Sequence, residues 1–513
     1  MPSLTRRAFL ANAAASVAAS RLHAQTSSAA QVTLALPAQA AGPQMPAGFV
    51  GLSYEIQQLK DPAFFSASNS GLIRQFRALS RQGVLRMGGN TSEFGWWKPS
   101  PDSPEPTHPQ TRVVAGEPQP QYYPVSAEAV NNLDAFLRAT DWTCIYGLNL
   151  GTGTPERAAQ EATYVAKTLG SRLEYFQVGN EVDLFTSHLR DPKTWTPQAY
   201  LKQWLMFARA VSAAVPGAKF GMPDIASHMD WLTEIAAVWP TIQNPPKIVC
   251  LSHHYYFGGP ATNPKVNIPN LLSWESVATV QHMADVAKAA ADKIGVPLRM
   301  TEGNTCYRGG KPGVSDVFAA AMWAADYALH LAVNGYTGVN LHGGSGPSVA
   351  NSVGGSLPGD QILRQQGETP EQIDKHPHPF YTPVASFGAK YELEPVAYGL
   401  KFAAQMIGGT FFKGDLSSRL QAAGVDATAY AASFRGGELR VVILNKDAQR
   451  DLNLELDCGS HRSGTVEKTT LRAPALDSRQ AEISPATSSG HINRGRCTVT
   501  VPRATGICLS LRA

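Results

Sequence analysis

Between residues 49 and 408 the sequence alternates, eight times over, a short apolar run with a longer stretch striped at helical spacing. The runs cover 49–55, 84–90, 144–150, 175–181, 219–222, 247–256, 297–302 and 338–342. Leu72, Ile73, Phe76 and Leu79 form the first stripe; Val130, Leu133, Phe136 and Leu137 form the second. Leu201, Trp204, Leu205 and Ala208 repeat the pattern further on, as do Trp274, Val277, Val280, Met283 and Ala287. Near-continuous apolar runs are strands buried on both faces, as in a parallel sheet. Eight such alternations predict an α/β fold, a (β/α)8 barrel of the TIM type with enlarged loops, over residues 44–408. The 343–383 connection is far longer than an ordinary strand-to-helix loop. It is expected either to wall the site or to decorate the surface.

After Gly409 the texture changes. Short alternating runs at 429–434 and 439–444 flank Gly436-Gly437, a hairpin signal, and similar runs recur to the C-terminus. Residues 409–513 are therefore expected to form an all-β, sandwich-like domain. An isolated strand, Gln31-Val32-Thr33-Leu34-Ala35-Leu36, lies in the 25–43 linker and needs a sheet to join. The C-terminal domain is its expected partner.

Thr5-Arg6-Arg7-Ala8-Phe9-Leu10 resembles a twin-arginine export motif, and Leu22-His23-Ala24 before Gln25 resembles its cleavage site. Residues 1–24 are thus expected to be a signal peptide that delivers a bacterial protein to the periplasm or beyond; the plainer reading is a disordered basic start. Loss of Arg6, Arg7 and Arg21 with the signal lowers the formal charge by three, from +4 to +1. A nearly neutral chain gives no case for a nucleic-acid partner. Beyond the N-terminus no apolar run reaches the ~18 residues of a membrane span. The six cysteines show no CxxC pair and no metal-type spacing. An oxidising compartment would permit disulfides, with Cys458, Cys497 and Cys508 the best placed.

The chemistry-bearing residues stand at strand tips. Glu181 closes the fourth run as Gly179-Asn180-Glu181, and Glu302 closes the seventh inside Thr301-Glu302-Gly303-Asn304. Either carboxylate alone is more often a surface ion-pair partner. Two at the same rim of a barrel make a catalytic pair, because retaining glycosidases need two carboxyl groups about 5–5.5 Å apart, one protonated and one ionised. Gly151-Thr152-Gly153-Thr154 lacks the Lys-Ser/Thr of a phosphate loop and is explained as a helix start. His253-His254 and His376-Pro377-His378 suggest a metal, but neighbouring side chains on a strand face opposite ways. Retaining hydrolysis needs neither metal nor cofactor, and none is expected.

With these motifs in hand, the chain resembles the clan A glycoside hydrolases, and within them glycoside hydrolase family 79, the family of β-glucuronidases and heparanase. The resemblance rests on Gly51-Leu52-Ser53-Tyr54-Glu55, Arg86-Met87-Gly88-Gly89-Asn90, Gln177-Val178-Gly179-Asn180-Glu181 and Thr301-Glu302-Gly303-Asn304 with Tyr307 and Gly309 after it. It implies Glu181 as acid/base, Glu302 as nucleophile and Asn180 as the contact to the sugar 2-hydroxyl. It also implies Tyr256 (or else Tyr255) orienting the nucleophile, and Tyr307, Arg308 and Gly309 holding a substrate carboxylate. Glu55 would meet hydroxyls at the non-reducing end, and Tyr381 is a second tyrosine for the carboxylate.

The expected activity is that of a retaining exo-β-glucuronidase acting on a glucuronic-acid-containing saccharide or glucuronide. A heparanase-like endo-enzyme, a 4-O-methylglucuronidase and a neutral β-glycosidase share the mechanism. Only scattered Lys and Arg line 99–122 and 343–379, which favours a weakly sulfated substrate. A non-catalytic carbohydrate-binding protein would need one of the two glutamates replaced. The sequence carries no sign of oligomeric state.

Overall fold

The computed structural model describes residues 29–37, 39–112, 121–353, 355–459 and 461–512. The signal-like segment 1–24 lies outside them. Eight parallel strands close a barrel in chain order: β1 (Val50–Glu55), β2 (Val84–Gly88), β3 (Thr143–Leu148), β4 (Leu173–Val178), β5 (Phe220–Ile225), β6 (Ile248–Tyr256), β7 (Leu298–Asn304) and β8 (Tyr336–Gly343). Except at a few end positions, these strands are buried, as their unbroken apolar runs require.

A helix follows each strand, and most start where a side chain can cap them. Asn69, Ser126, Thr154, Thr196 and Ser273 each accept the backbone N–H three residues on, satisfying an otherwise orphan donor. The helix Phe318–Val333 is buried around almost its whole circumference. Its far face packs on the second domain: Asp326 accepts from Thr428 and Tyr430 and pairs with Lys446 at 3.2 Å. A helix apolar all round fits only between two such bodies.

Among the described residues, nine C-terminal strands and one N-terminal strand form one ten-stranded sheet that folds over a shared core. Leu452, Leu454, Leu456, Val499 and Val501 from one half meet Ala427, Ala431, Val441, Ile443 and Leu509 from the other. This is the expected sandwich-like arrangement. The N-terminal strand Ala30–Ala35 runs parallel to Leu452–Asp457 and sets Leu34 opposite Leu456, within that core. The following segment is stitched to the same domain by Gly42 N–H to Phe411 O and Met45 N–H to Gly409 O.

Three strand ends differ from the expectation. β4 stops at Val178, so Glu181 is not the last residue of a strand but sits in the turn beyond it, and β7 runs past Glu302 to Asn304. β5 extends to Ile225, three residues beyond its predicted end, which brings Asp224 to the barrel mouth. All six cysteines are buried free thiols. Cys458 and Cys497 are neighbours in the sandwich core, whereas Cys508 points into the core on the barrel side. Among the described residues, the 343–383 connection forms three short helices, and its Ser345 and Ser348 donate to Gln58 after β1. It packs on the barrel mouth and returns the chain at Tyr381.

Candidate active site

At the C-terminal ends of the strands, one carboxylate oxygen of Glu181, one of Glu302 and a ring nitrogen of His254 all lie within 4.8 Å of one another. Glu181 has φ 49° and ψ 46°, a left-handed conformation rare for a residue with a Cβ. Two contacts hold it there. Its N–H donates to the carbonyl of Asp224 at 2.7 Å, and Asp183 accepts from the N–H groups of Ala226, Ser227 and His228, tying this turn to the end of β5. Sparsely populated backbone of this kind persists where the surroundings over-determine it.

The two glutamates have different environments. Glu302 accepts from Arg86 Nη1 at 2.6 Å and from the Tyr256 hydroxyl at 2.8 Å, and His342 stands 3.7 Å away. Burial alone would raise its pKa, but the charges of His342, His254 and Arg86 outweigh burial and hold the carboxyl well below its ordinary range. Glu181 meets His254 Nδ1 at 3.1 Å. Burial and the nearby charge of Glu302 push its pKa up against that contact. One carboxylate is thereby set to be ionised and the other to carry a proton.

Arg86, on β2, is fully buried and serves five groups. Besides Glu302 it donates to Gln177 at 3.0 Å, Ser53 at 3.1 Å, Asn180 at 2.6 Å and Asp224 at 2.5 Å. Asp224 also accepts from Gln177 and Thr301 and lies 3.5 Å from His254 Nε2. Arg86 and His254, both drawn toward the charged form by these carboxylates, hold Asp224 well below its usual pKa despite its burial. Glu93 fastens the rim: it accepts from the N–H groups of Asn180 and Gly151, and burial raises its pKa to about 7.

The sequence-derived residues fall into two groups. Glu181, Glu302, Asn180 and Tyr256 converge directly, and Tyr255 instead stacks on Tyr327 outside the barrel. Tyr307 is 42% exposed, edge-on to Tyr256 at 6.3 Å, and Tyr381 is buried at 6.1 Å from the same ring, so both flank the tyrosine that bonds Glu302. Arg308, Gly309 and Gly310 form a left-handed turn with φ of 60°, 88° and 83° beyond Tyr307. Glu55 is buried: Thr91 donates to it through its backbone and its hydroxyl, and His342 Nε2 stands 3.4 Å away. Gly89, at φ 74°, leaves the space that this carboxylate fills.

Arg86, Asp224, His254 and His342 were not foreseen as site residues. An arginine inside an apolar strand was the available signal, since a buried cation demands anionic partners. The pair His253-His254 does split across the strand: His253 bonds Tyr336, and only His254 enters the site. It gathers with Glu181 and Glu302, its Nδ1 meeting Glu181 at 3.1 Å and its Nε2 standing 3.5 Å from Asp224.

The fold and the paired carboxylates define a glycoside hydrolase built on the clan A barrel. No family model matches the chain. It is 27% identical over 371 residues to a β-glucuronidase of Aspergillus niger, spanning 67% of each protein, and 27% identical over 227 residues to a β-glucuronidase of Neurospora crassa, spanning 40% of that protein. Among solved structures it superposes on a 4-O-α-L-rhamnosyl-β-D-glucuronidase from Fusarium oxysporum with TM-score 0.69 at 18% identity, covering 94% of this chain and all of that one. A family-51 arabinofuranosidase from Xanthomonas axonopodis gives 0.63 at 14% identity, covering 94% and 99%.

Proposed function

We propose that the protein is a retaining exo-β-glucuronidase of the family 79 type, cleaving terminal β-linked glucuronic acid through a covalent glycosyl-enzyme. The observation that carries this reading is the close approach of Glu181 and Glu302 in opposite electrostatic settings. That spacing suits direct attack rather than an interposed water. Glu302 attacks the anomeric carbon while Glu181 gives its proton to the departing oxygen; Glu181 then takes a proton from water, which attacks the same carbon and frees Glu302. Arg86 and Tyr256 keep Glu302 ionised and aimed, and Asn180 faces the sugar 2-hydroxyl.

Similarity to the two fungal β-glucuronidases supports glucuronic acid as the sugar. In this reading Tyr307, Tyr381 and the amides of the Arg308–Gly309 turn receive its carboxylate, as backbone N–H groups in such turns form anion-binding concavities. Glu55 closes the non-reducing end. Residues 1–24 would export the enzyme.

The test is hydrolysis of 4-nitrophenyl β-D-glucuronide by the wild type and by Glu302→Ala, with the corresponding glucoside, galactoside and heparan sulfate as comparisons. The reading requires a glucuronide preference that vanishes in the variant. Wild-type rates in Glu302→Ala would end it.

A further inference from the structure

Asp224 joins the two halves of the site. Its carbonyl receives the Glu181 N–H at 2.7 Å, and its carboxylate takes Arg86 at 2.5 Å and faces His254 at 3.5 Å. Each of those two cations also contacts one member of the pair: Arg86 contacts Glu302, and His254 contacts Glu181. We infer that Asp224 is a positioning residue that keeps His254 an imidazolium against Glu181, so that Glu181 can act first as an acid and then as a base. This rests on the retaining assignment of the two glutamates.

A fully buried imidazole favours its neutral form unless anions face it. The groups around His254 are Glu181 from the β4 turn, Asp224 on β5, Glu302 on β7 and its neighbour His253 on β6; Arg86 and His342 face the same carboxylates from β2 and β8. Glu181 is protonated for the first half of the reaction, and Glu302 is esterified in the glycosyl-enzyme. At that stage Asp224 is the anion that remains beside the ring. A charged His254 then draws Glu181 toward ionisation, which the second half needs. Without Asp224 the ring turns neutral and Glu181 keeps its proton.

Asp224→Asn is the variant of choice, because Asn tolerates the left-handed backbone at this position (φ 59°) and retains the side-chain shape. The substrate is whichever 4-nitrophenyl glycoside the wild type hydrolyses, so the outcome does not depend on the sugar. With this activated aglycone we expect kcat to fall about tenfold or more, a part of the roughly 10²–10⁴-fold that general-base help contributes. KM should fall in parallel as the glycosyl-enzyme accumulates, and the alkaline limb of kcat/KM should move to higher pH. Asp224→Glu should restore part of the kcat. A fall in kcat with KM and the alkaline limb both unmoved would overturn the inference. Should the variant not fold, NMR titration of the His254 ring in the wild type decides: it should stay protonated through pH 8, and titration near the ordinary histidine value would overturn the inference without bearing on the glucuronidase reading.

Discussion

Arg86 donates to Glu302 at 2.6 Å from a position where the two side chains are only 1% and 7% exposed. Glu181, 4.8 Å or less from the same carboxylate, meets a histidine instead. The division of labour between two chemically identical side chains follows from this difference in neighbours.

Replacing Arg86 with Met strips the cation from both Asp224 and Glu302. A buried carboxylate left without its partner costs about 3–5 kcal/mol. Urea unfolding at pH 7 should show a loss on this scale, together with loss of activity. Lys in its place should recover stability only in part, since a single ammonium cannot reproduce the guanidinium fork across Glu302, Asn180, Gln177 and Asp224.

Tyr256→Phe removes one donor from Glu302 and leaves the ring packing against Tyr381. A hydrogen bond to a charged group is worth about 1.5–3 kcal/mol, which corresponds to a kcat/KM lower by roughly ten- to a hundredfold. Tyr255→Phe, whose ring stacks on Tyr327 on the other side of the strand, should leave kcat/KM close to the wild-type value.

Glu181→Ala separates the two halves of its role. Glycosides of poor leaving groups should lose about 10²–10⁴ in rate, the usual contribution of a general acid. The nitrophenyl glycoside should be spared in the first step and limited in the second, and added azide should restore turnover. Equal losses on good and poor leaving groups would remove Glu181 from the acid role.

How much of this was open to the sequence depends on scale. The eight runs and their stripes gave the barrel, because a parallel sheet covered on both faces admits little else. Glu181 and Glu302 were legible for the same reason: polar ends on apolar runs. Strand ends were less so, since the left-handed turn at Glu181 is held by the Asp224 carbonyl and by Asp183, contacts between segments over 40 residues apart. Asp224 was missed because Pro223 made the run look finished at Met222. His254 and His342 look like any strand histidines until closure of the barrel sets them beside carboxylates. The exposed Tyr307 and the return of the 343–383 segment to Tyr381 depend on loop packing, which leaves no periodic trace.

His254 also gives stability a signature on pH. Its folded pKa is raised from the ordinary 6.5 to about 10: burial opposes the charge, but Glu302 and Asp224 outweigh it. A raised pKa stabilises fully below the unfolded value, and that contribution is lost as pH climbs through the folded value. Unfolding free energy should therefore decline between pH 6.5 and 10. At the acid end, the lowered pKa values of Glu302 and Asp224 act in the opposite sense, and their contribution is lost as pH falls below the carboxylate range. In His254→Asn the decline from pH 6.5 to 10 should flatten in urea titrations.

The most direct measurement is the anomeric configuration of the first product, followed by proton NMR as 4-nitrophenyl β-D-glucuronide is hydrolysed. Attack by Glu302 followed by water gives β-glucuronic acid first, with the α-anomer growing in only by mutarotation. Initial release of the α-anomer would mean a single displacement by water, and would contradict the role assigned to Glu302.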